Sequence, residues 1–126
     1  MKVLLVNGSP RKEGNTYVAL NEFAQQLAEN GIQSELVWIG TKPVRGCIAC
    51  NSCHDNRCVF NDDITNCIIA KMEECDGLVI GSPVYYGQPA GPVCCLQQRM
   101  MYAGSSVMAN KPAAGICVCR RGGATT

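Results

Sequence analysis

Four cysteines and one Gly/Ser/Asn turn carry the residue types that could do chemistry. The run Cys47-x2-Cys50-x2-Cys53-x4-Cys58 lets one loop wrap four thiols around a compact group. The bacterial ferredoxin run is Cys-x2-Cys-x2-Cys-x3-Cys-Pro; here the last gap is one residue longer and Val59 replaces the proline. Zinc more often takes two separated Cys-x2-Cys knuckles, so it is the second reading. Surplus thiols or a redox disulfide without metal is the third, and the spacing leaves all three open. His54, inside the run, is read as a solvated loop residue.

The second constellation is Asn7-Gly8-Ser9-Pro10-Arg11-Lys12-Glu13-Gly14-Asn15-Thr16. It lies between an apolar run, Val3 to Val6, and a helical pattern from Tyr17 to Glu29. Gly8, Ser9, Gly14, Asn15 and Thr16 let backbone N–H groups face an anion at a helix N-terminus, where unpaired donors and a partial positive charge collect. Arg11 and Lys12 add full charge, and an arginine can fork onto two phosphate oxygens. The stretch is not a P-loop: five residues separate Gly8 from Gly14, and Asn15 stands where the lysine belongs. Nor does it carry the three glycines of a dinucleotide fingerprint. An ordinary N-capped turn is the alternative.

Two further stretches complete the set. Pro83-Val84-Tyr85-Tyr86-Gly87 combines aromatic faces with a Pro- and Gly-shaped backbone, which suits a flat ring. Arg120 and Arg121 could stabilise negative charge on such a ring; a solvated basic pair is the alternative. Asp62 and Asp63 read as a helix cap, and one histidine supports no Ser/His/Asp or Cys/His arrangement.

The elements that position these residues alternate. Strands are expected over Lys2–Val6, Ser34–Ile39, Gly77–Gly81 and Ala113–Cys119, and helices over Thr16–Asn30, from Asp62 or Asp63 to about Glu74, and Pro92–Ala103. Helical stripes run through Val18, Leu20, Phe23, Ala24 and Leu27, and through Ile64, Cys67, Ile68 and Met72. Alternation of this kind predicts an α/β doubly wound parallel sheet with right-handed crossovers. Ligands of such sheets bind beyond the carboxyl ends of the strands, where the loops 7–16, 82–89 and 120–126 all fall. Residues 40–62 form one long loop, a length that is usually functional.

The chain of 126 residues supports one domain with a real core. Its net charge of +1 suggests no nucleic-acid or membrane surface. The initial apolar run is too short for a signal peptide and nothing reaches transmembrane length. Ten cysteines without a secretory signal point to a reducing cytoplasm. Cys67, Cys75, Cys94, Cys95, Cys117 and Cys119 lie in apolar or helical contexts and are expected as core thiols. The last strand is apolar throughout, as if buried on both sides. It would otherwise be an open edge, so either the sequence is cut short or another protomer covers it.

Val-Asn-Gly-Ser-Pro-Arg-Lys-Glu-Gly-Asn-Thr, Gly-Ser-Pro-Val-Tyr-Tyr-Gly and Cys-Arg-Arg-Gly-Gly together resemble the NADPH-dependent FMN reductase family. With the Cys47 to Cys58 run, the chain is most similar to its iron–sulfur flavoprotein branch. The resemblance implies a flavodoxin-like sheet of order 2-1-3-4-5, of which this chain holds 2-1-3-4 and lacks the fifth strand. It implies one FMN-binding domain over residues 1–126, with the cysteine-rich loop at 46–59. Ser9, Arg11, Asn15 and Thr16, with Lys12 and Gly14 beside them, would hold the FMN phosphate. Pro83, Val84, Tyr85, Tyr86 and Gly87 would line the isoalloxazine, with Arg120, Arg121 and Gly122 near its pyrimidine side. Cys47, Cys50, Cys53 and Cys58 would ligate a [4Fe–4S] cluster. NAD(P)H or a protein carrier would donate electrons, in a homodimer or homotetramer. A metal-binding or redox-sensing module on the same scaffold, without turnover, is the competing expectation.

Overall fold

A computed structural model describes residues 1–122. The elements in order are β1 (Lys2–Asn7), α1 (Asn15–Glu29), β2 (Gln33–Trp38), α2 (Thr65–Glu73), β3 (Gly77–Tyr85), β4 (Gln88–Pro89), α3 (Gly91–Ala103), α4 (Ser105–Met108) and β5 (Ala113–Val118). β1 pairs in parallel with β2 on one side and β3 on the other, and β3 pairs in parallel with β5. The parallel order is therefore β2-β1-β3-β5, the 2-1-3-4 order expected for the four main strands.

Successive strand residues point to opposite faces, and β1 uses both. Leu4 and Val6 join a cluster with Ile68, Ile69 and Met72 of α2 and Val93, Leu96 and Met100 of α3. Val3 and Leu5 face the other way, onto Leu20 of α1 and Val79. Ile68, Met72 and Leu96 are fully buried, each worth about 1.5–3 kcal/mol on the area scale. This burial fixes α2 and α3 side by side on one face.

Several expectations need correction. β3 does not end at Gly81 but runs on to Tyr85, and the expected loop 82–89 is a β3–β4 hairpin. Tyr86 and Gly87 form its two-residue turn with φ of 55° and 79°, the pattern of a type I′ turn. The Ser82 hydroxyl accepts the Ala90 N–H at 2.9 Å and fixes the return. Val18 and Cys67 face solvent, and Ile69 takes the buried place expected of Cys67. Of the six expected core thiols only Cys75 is buried; Cys94 and Cys95 are half-buried, and Cys67, Cys117 and Cys119 are exposed. β5 is also not buried on both sides. Ala113, Ala114, Gly115 and Cys117 are exposed, because among the described residues β5 pairs with β3 alone and an open groove lies between it and α3. The short α4 was not anticipated. Among the described residues, no helix is long and apolar enough to cross a membrane.

One contact holds the site end of the sheet. The Gly8 N–H donates to the Gly81 carbonyl at 2.8 Å. A Cβ on Gly8 would lie 2.1 Å from Val93 Cγ2 and 2.9 Å from the Gly81 oxygen. Gly8→Ala is expected to destabilise the fold by about 1–3 kcal/mol through overpacking. A urea midpoint equal to that of the wild type would contradict this packing.

Candidate functional site

The turn after β1 is built by a side chain the sequence did not single out. Asn7 is fully buried; its Oδ1 accepts the Ser9 N–H at 3.0 Å and its Nδ2 donates to the Lys12 carbonyl at 3.0 Å. Ser9 is buried and its hydroxyl accepts the Arg11 N–H at 3.1 Å. Trp38, at the end of β2, donates its Nε1–H to the Ser9 carbonyl at 2.7 Å, and Lys12 Nζ lies 5.9 Å from the Trp38 ring. The turn is thus fastened to both neighbouring strand ends. Arg11, Lys12 and Asn15 are exposed around it, Gly14 is half-buried and Thr16 is buried.

The α1 N-terminus meets the requirements of an anion. Its N-cap is Gly14, no side chain caps it, and its first turn has no acidic residue. The first N–H groups are thus left to a ligand or water. Donors, hydroxyls and cations of this kind fit the phosphate end of FMN. Beside the turn lies an open cleft of about 570 Å³, lined by Gly8, Pro10, Ile39–Lys42, Tyr85 and Ala90–Pro92. The turns after β1 and β2 therefore meet the Tyr85 end of β3 and the start of α3 at this cleft. Pro83 and Val84 sit half-buried in β3, Tyr85 is half-exposed, and Tyr86 is wholly exposed at the hairpin tip. Arg120, Arg121 and Gly122 leave the carboxyl end of β5 exposed; Cys119 donates its thiol hydrogen to the Arg121 carbonyl at 2.7 Å. Residues 123–126 of the third expected loop lie outside the described residues.

The cysteine loop forms a second site on the α2–α3 face. Cys47, Cys50, Cys53 and Cys58 line one small pocket with Phe60, Arg99 and Tyr102. The gap before Cys58 has a structural cause. His54 and Arg57 pair through both backbone bonds, at 3.1 and 2.8 Å, around Asp55 and Asn56, whose φ are 49° and 57°. This tight turn sets Cys53 and Cys58 on its two flanks. Arg57 pins the turn to α2 by a forked bond to Glu73, at 2.8 and 3.0 Å. Ala49 and Asn51, on either side of Cys50, are also left-handed, with φ of 52° each. Left-handed residues of this kind build anion-binding backbone concavities. Four thiols and no carboxylate in one pocket fit a soft metal or an iron–sulfur cluster. They share the pocket without closing on one point: among the described residues, no three His, Cys, Asp or Glu side chains are set to hold a metal ion.

Electrostatics differ across the four. Burial pushes the Cys53 thiol pKa up, and the neighbouring Cys58, Cys50 and Cys47 push it further. The Ser52 backbone N–H and hydroxyl lower that of the exposed Cys50. His54 is exposed, as expected of a solvated residue. Asp62 pairs with Arg45 at 3.1 Å instead of capping α2. Asp63 does act near that end, its Oδ1 accepting the Thr65 N–H at 3.0 Å. Its Oδ2 takes the Arg45 N–H at 3.0 Å and pairs with Arg99. Burial raises the Asp63 pKa, but the bonds from Thr65, Arg45 and Arg99 outweigh it and leave the carboxyl below its ordinary value. Arg99 was missed in the sequence, although a signal exists: it is the lone charge in the stripe Val93, Leu96, Met100, Ala103.

The profile of the family described as NADPH-dependent FMN reductase matches residues 1–126. The chain is 40% identical over 100 residues to an iron–sulfur flavoprotein of Methanocaldococcus jannaschii, covering 79% of this chain and 51% of that protein. It is 34% identical over 128 residues to an iron–sulfur flavoprotein of Archaeoglobus fulgidus, covering 98% and 63%. The chain thus spans between half and two thirds of these relatives. Among solved structures, a flavone reductase aligns with TM-score 0.70 at 15% identity, covering 94% of this chain and 43% of that one. The apo form of an NADH:FMN oxidoreductase aligns with TM-score 0.62 at 18% identity, covering 96% and 59%. These structural likenesses concern the fold.

Two outcomes follow from the site geometry. The folded pKa of Asp63 lies below its ordinary 3.8, so the stability it contributes is complete above that value and is lost as pH falls through the folded one. From about pH 4 to about pH 2 the wild type should lose more stability than Asp63→Asn, read as urea midpoints; parallel curves would contradict the assignment. Tyr86 holds a left-handed backbone that costs an L-residue about 1–2 kcal/mol, so Tyr86→Gly or Tyr86→Asn should not lower the urea midpoint. A clear loss in both variants would mean that the ring supports the fold.

Proposed function

The chain belongs to the NADPH-dependent FMN reductase family, and from that premise we propose that it is an FMN-dependent oxidoreductase of the iron–sulfur flavoprotein kind. The observation that carries this reading is the uncapped α1 N-terminus, near a cleft lined by the turns after β1 and β2, the Tyr85 end of β3 and the start of α3. In this reading the N–H groups of Asn15 and Thr16, the Ser9 and Thr16 hydroxyls and the Arg11 and Lys12 side chains bind the FMN phosphate. Pro83, Val84, Tyr85, Tyr86 and Gly87 orient the flavin ring and shield it from water, with Arg120, Arg121 and Gly122 on its polar side. FMN, when bound, supplies the electron chemistry, exchanging a hydride or single electrons. No side chain has to act as a proton donor or acceptor.

Cys47, Cys50, Cys53 and Cys58 hold a [4Fe–4S] cluster in the same reading, supported by their shared pocket and by the relatives' names. NAD(P)H or a small electron-carrier protein is the donor. The assembly is a homodimer or homotetramer in the cytoplasm, with neither nucleic acid nor membrane as partner. The open arrangement of the thiols favours one second reading: zinc or a redox disulfide on a non-catalytic sensing module. Iron and sulfide analysis of anaerobically purified protein separates the two, since zinc without sulfide would leave only the second.

The phosphate assignment has its own test. Arg11→Ala combined with Thr16→Ala should weaken FMN binding by roughly tenfold or more, as expected for lost bonds to a charged group. Thr16→Val controls for the packing of the Thr16 methyl beside Gly81. Unchanged FMN affinity in the double variant would place the phosphate elsewhere.

A further inference from the structure

Arg99 is the buried charge that the proposed chemistry leaves unused. It projects from the middle of α3 and is 2% exposed. Its Nη2 donates to the Phe60 carbonyl at 2.8 Å and its Nη1 to the Arg45 carbonyl at 3.3 Å. Arg45 precedes Cys47 and Phe60 follows Cys58, so one guanidinium ties both ends of the cysteine loop to α3. Nη1 also pairs with the buried Asp63, which Arg45 and Thr65 hold through their own N–H groups. The remaining direction of the fork is aimed at sulfur. Nε donates to Cys58 Sγ at 3.4 Å, and Cys58 is the one buried thiol of the four.

A plain stabilising role explains little of this. Replacing a buried ion pair by well-packed apolar groups is often neutral or favourable. The fork instead sets a position: it fixes the loop mouth and places a cationic N–H on the inner sulfur, where water cannot substitute for it. Hydrogen bonds to ligating sulfurs are among the factors that set iron–sulfur potentials. An added electron makes such a group more negative, so a cationic donor favours the reduced state.

We propose that Arg99 is a positioning residue of the four-cysteine site: it closes the loop at its base and hydrogen-bonds the Cys58 sulfur, raising the reduction potential of the group held there. This inference rests on the cluster reading above. The bonds of Arg99 reach the outer coordination of that group only through Cys58, and no covalent bond forms or breaks.

The test uses the full chain, anaerobically loaded with iron and sulfide, in three forms: wild type, Arg99→Lys, and Arg99→Gln combined with Asp63→Asn. The double variant removes both charges, so no unpaired carboxylate is left buried. Each form is titrated against applied potential with spectroscopic readout of the cluster. At a fixed potential, the ratio of reduced to oxidised cluster should fall about tenfold in the double variant, which is about 59 mV for one electron. Arg99→Lys, which keeps the charge but not the fork, should fall between. Equal midpoints in all three forms would overturn the inference while leaving the cluster reading intact. So would variants that fold but no longer load, because Arg99 would then matter for assembly and not for potential. A wild type that takes up no iron and sulfide would remove the cluster reading itself, and this inference with it.

Discussion

Gly8, just after β1, and Gly81, in the middle of β3, approach so closely that neither has room for a side chain. The Gly8 N–H meets the Gly81 carbonyl at 2.8 Å, the Val93 methyl closes one side, and a Cβ on Gly81 would strike Leu20 at 2.8 Å. This contact fixes where the turn after β1 leaves the sheet. Asn7, in β1 just before it, then shapes the turn from inside, and Trp38 ties it to β2. The result is a helix N-terminus presented beside the cleft without a side-chain cap. Such an end suits an anion.

Helix α3 connects the two candidate sites. Its first residues, Gly91 and Pro92, line the cleft beside Gly8 and Tyr85; Arg99 and Tyr102 line the pocket of the four thiols. Gly91 and Arg99 are roughly 12 Å apart along the helix axis. The Tyr102 hydroxyl donates to Asn51 Oδ1 at 2.9 Å, adding a second anchor to the loop. A rigid helix packed through Val93, Leu96 and Met100 thus sets the distance between the cleft and the thiol pocket. The cysteine loop has no regular element of its own, so its shape depends on these tethers and on its left-handed residues.

The four parallel strands and their order were legible because the apolar runs and Gly/Ser turns alternate so regularly. The hairpin 82–89 was not. Its turn residues, Tyr86-Gly87, lack the usual Asn-Gly or Asp-Gly signature, and a strand carrying Pro83 reads as ending early. Burial of β5 and of five cysteines was overestimated, since apolar composition reports what a segment could bury and not what lies against it. The four-residue gap before Cys58, one longer than the ferredoxin spacing, is the length of a tight turn whose left-handed Asp55-Asn56 pair is typical turn chemistry. Arg99 escaped notice because its partners, Arg45, Phe60 and Asp63, are far from it in sequence.

In the proposed reading, α3 carries a flavin cleft at its N-terminal end and an iron–sulfur loop beside its C-terminal half. The visible absorption spectrum of anaerobically purified protein, before and after added FMN, reads both groups at once. Flavin bands with a broad brown iron–sulfur shoulder are the predicted result. A protein without visible absorbance, even with FMN supplied and its thiols reduced, would contradict both halves of the claim.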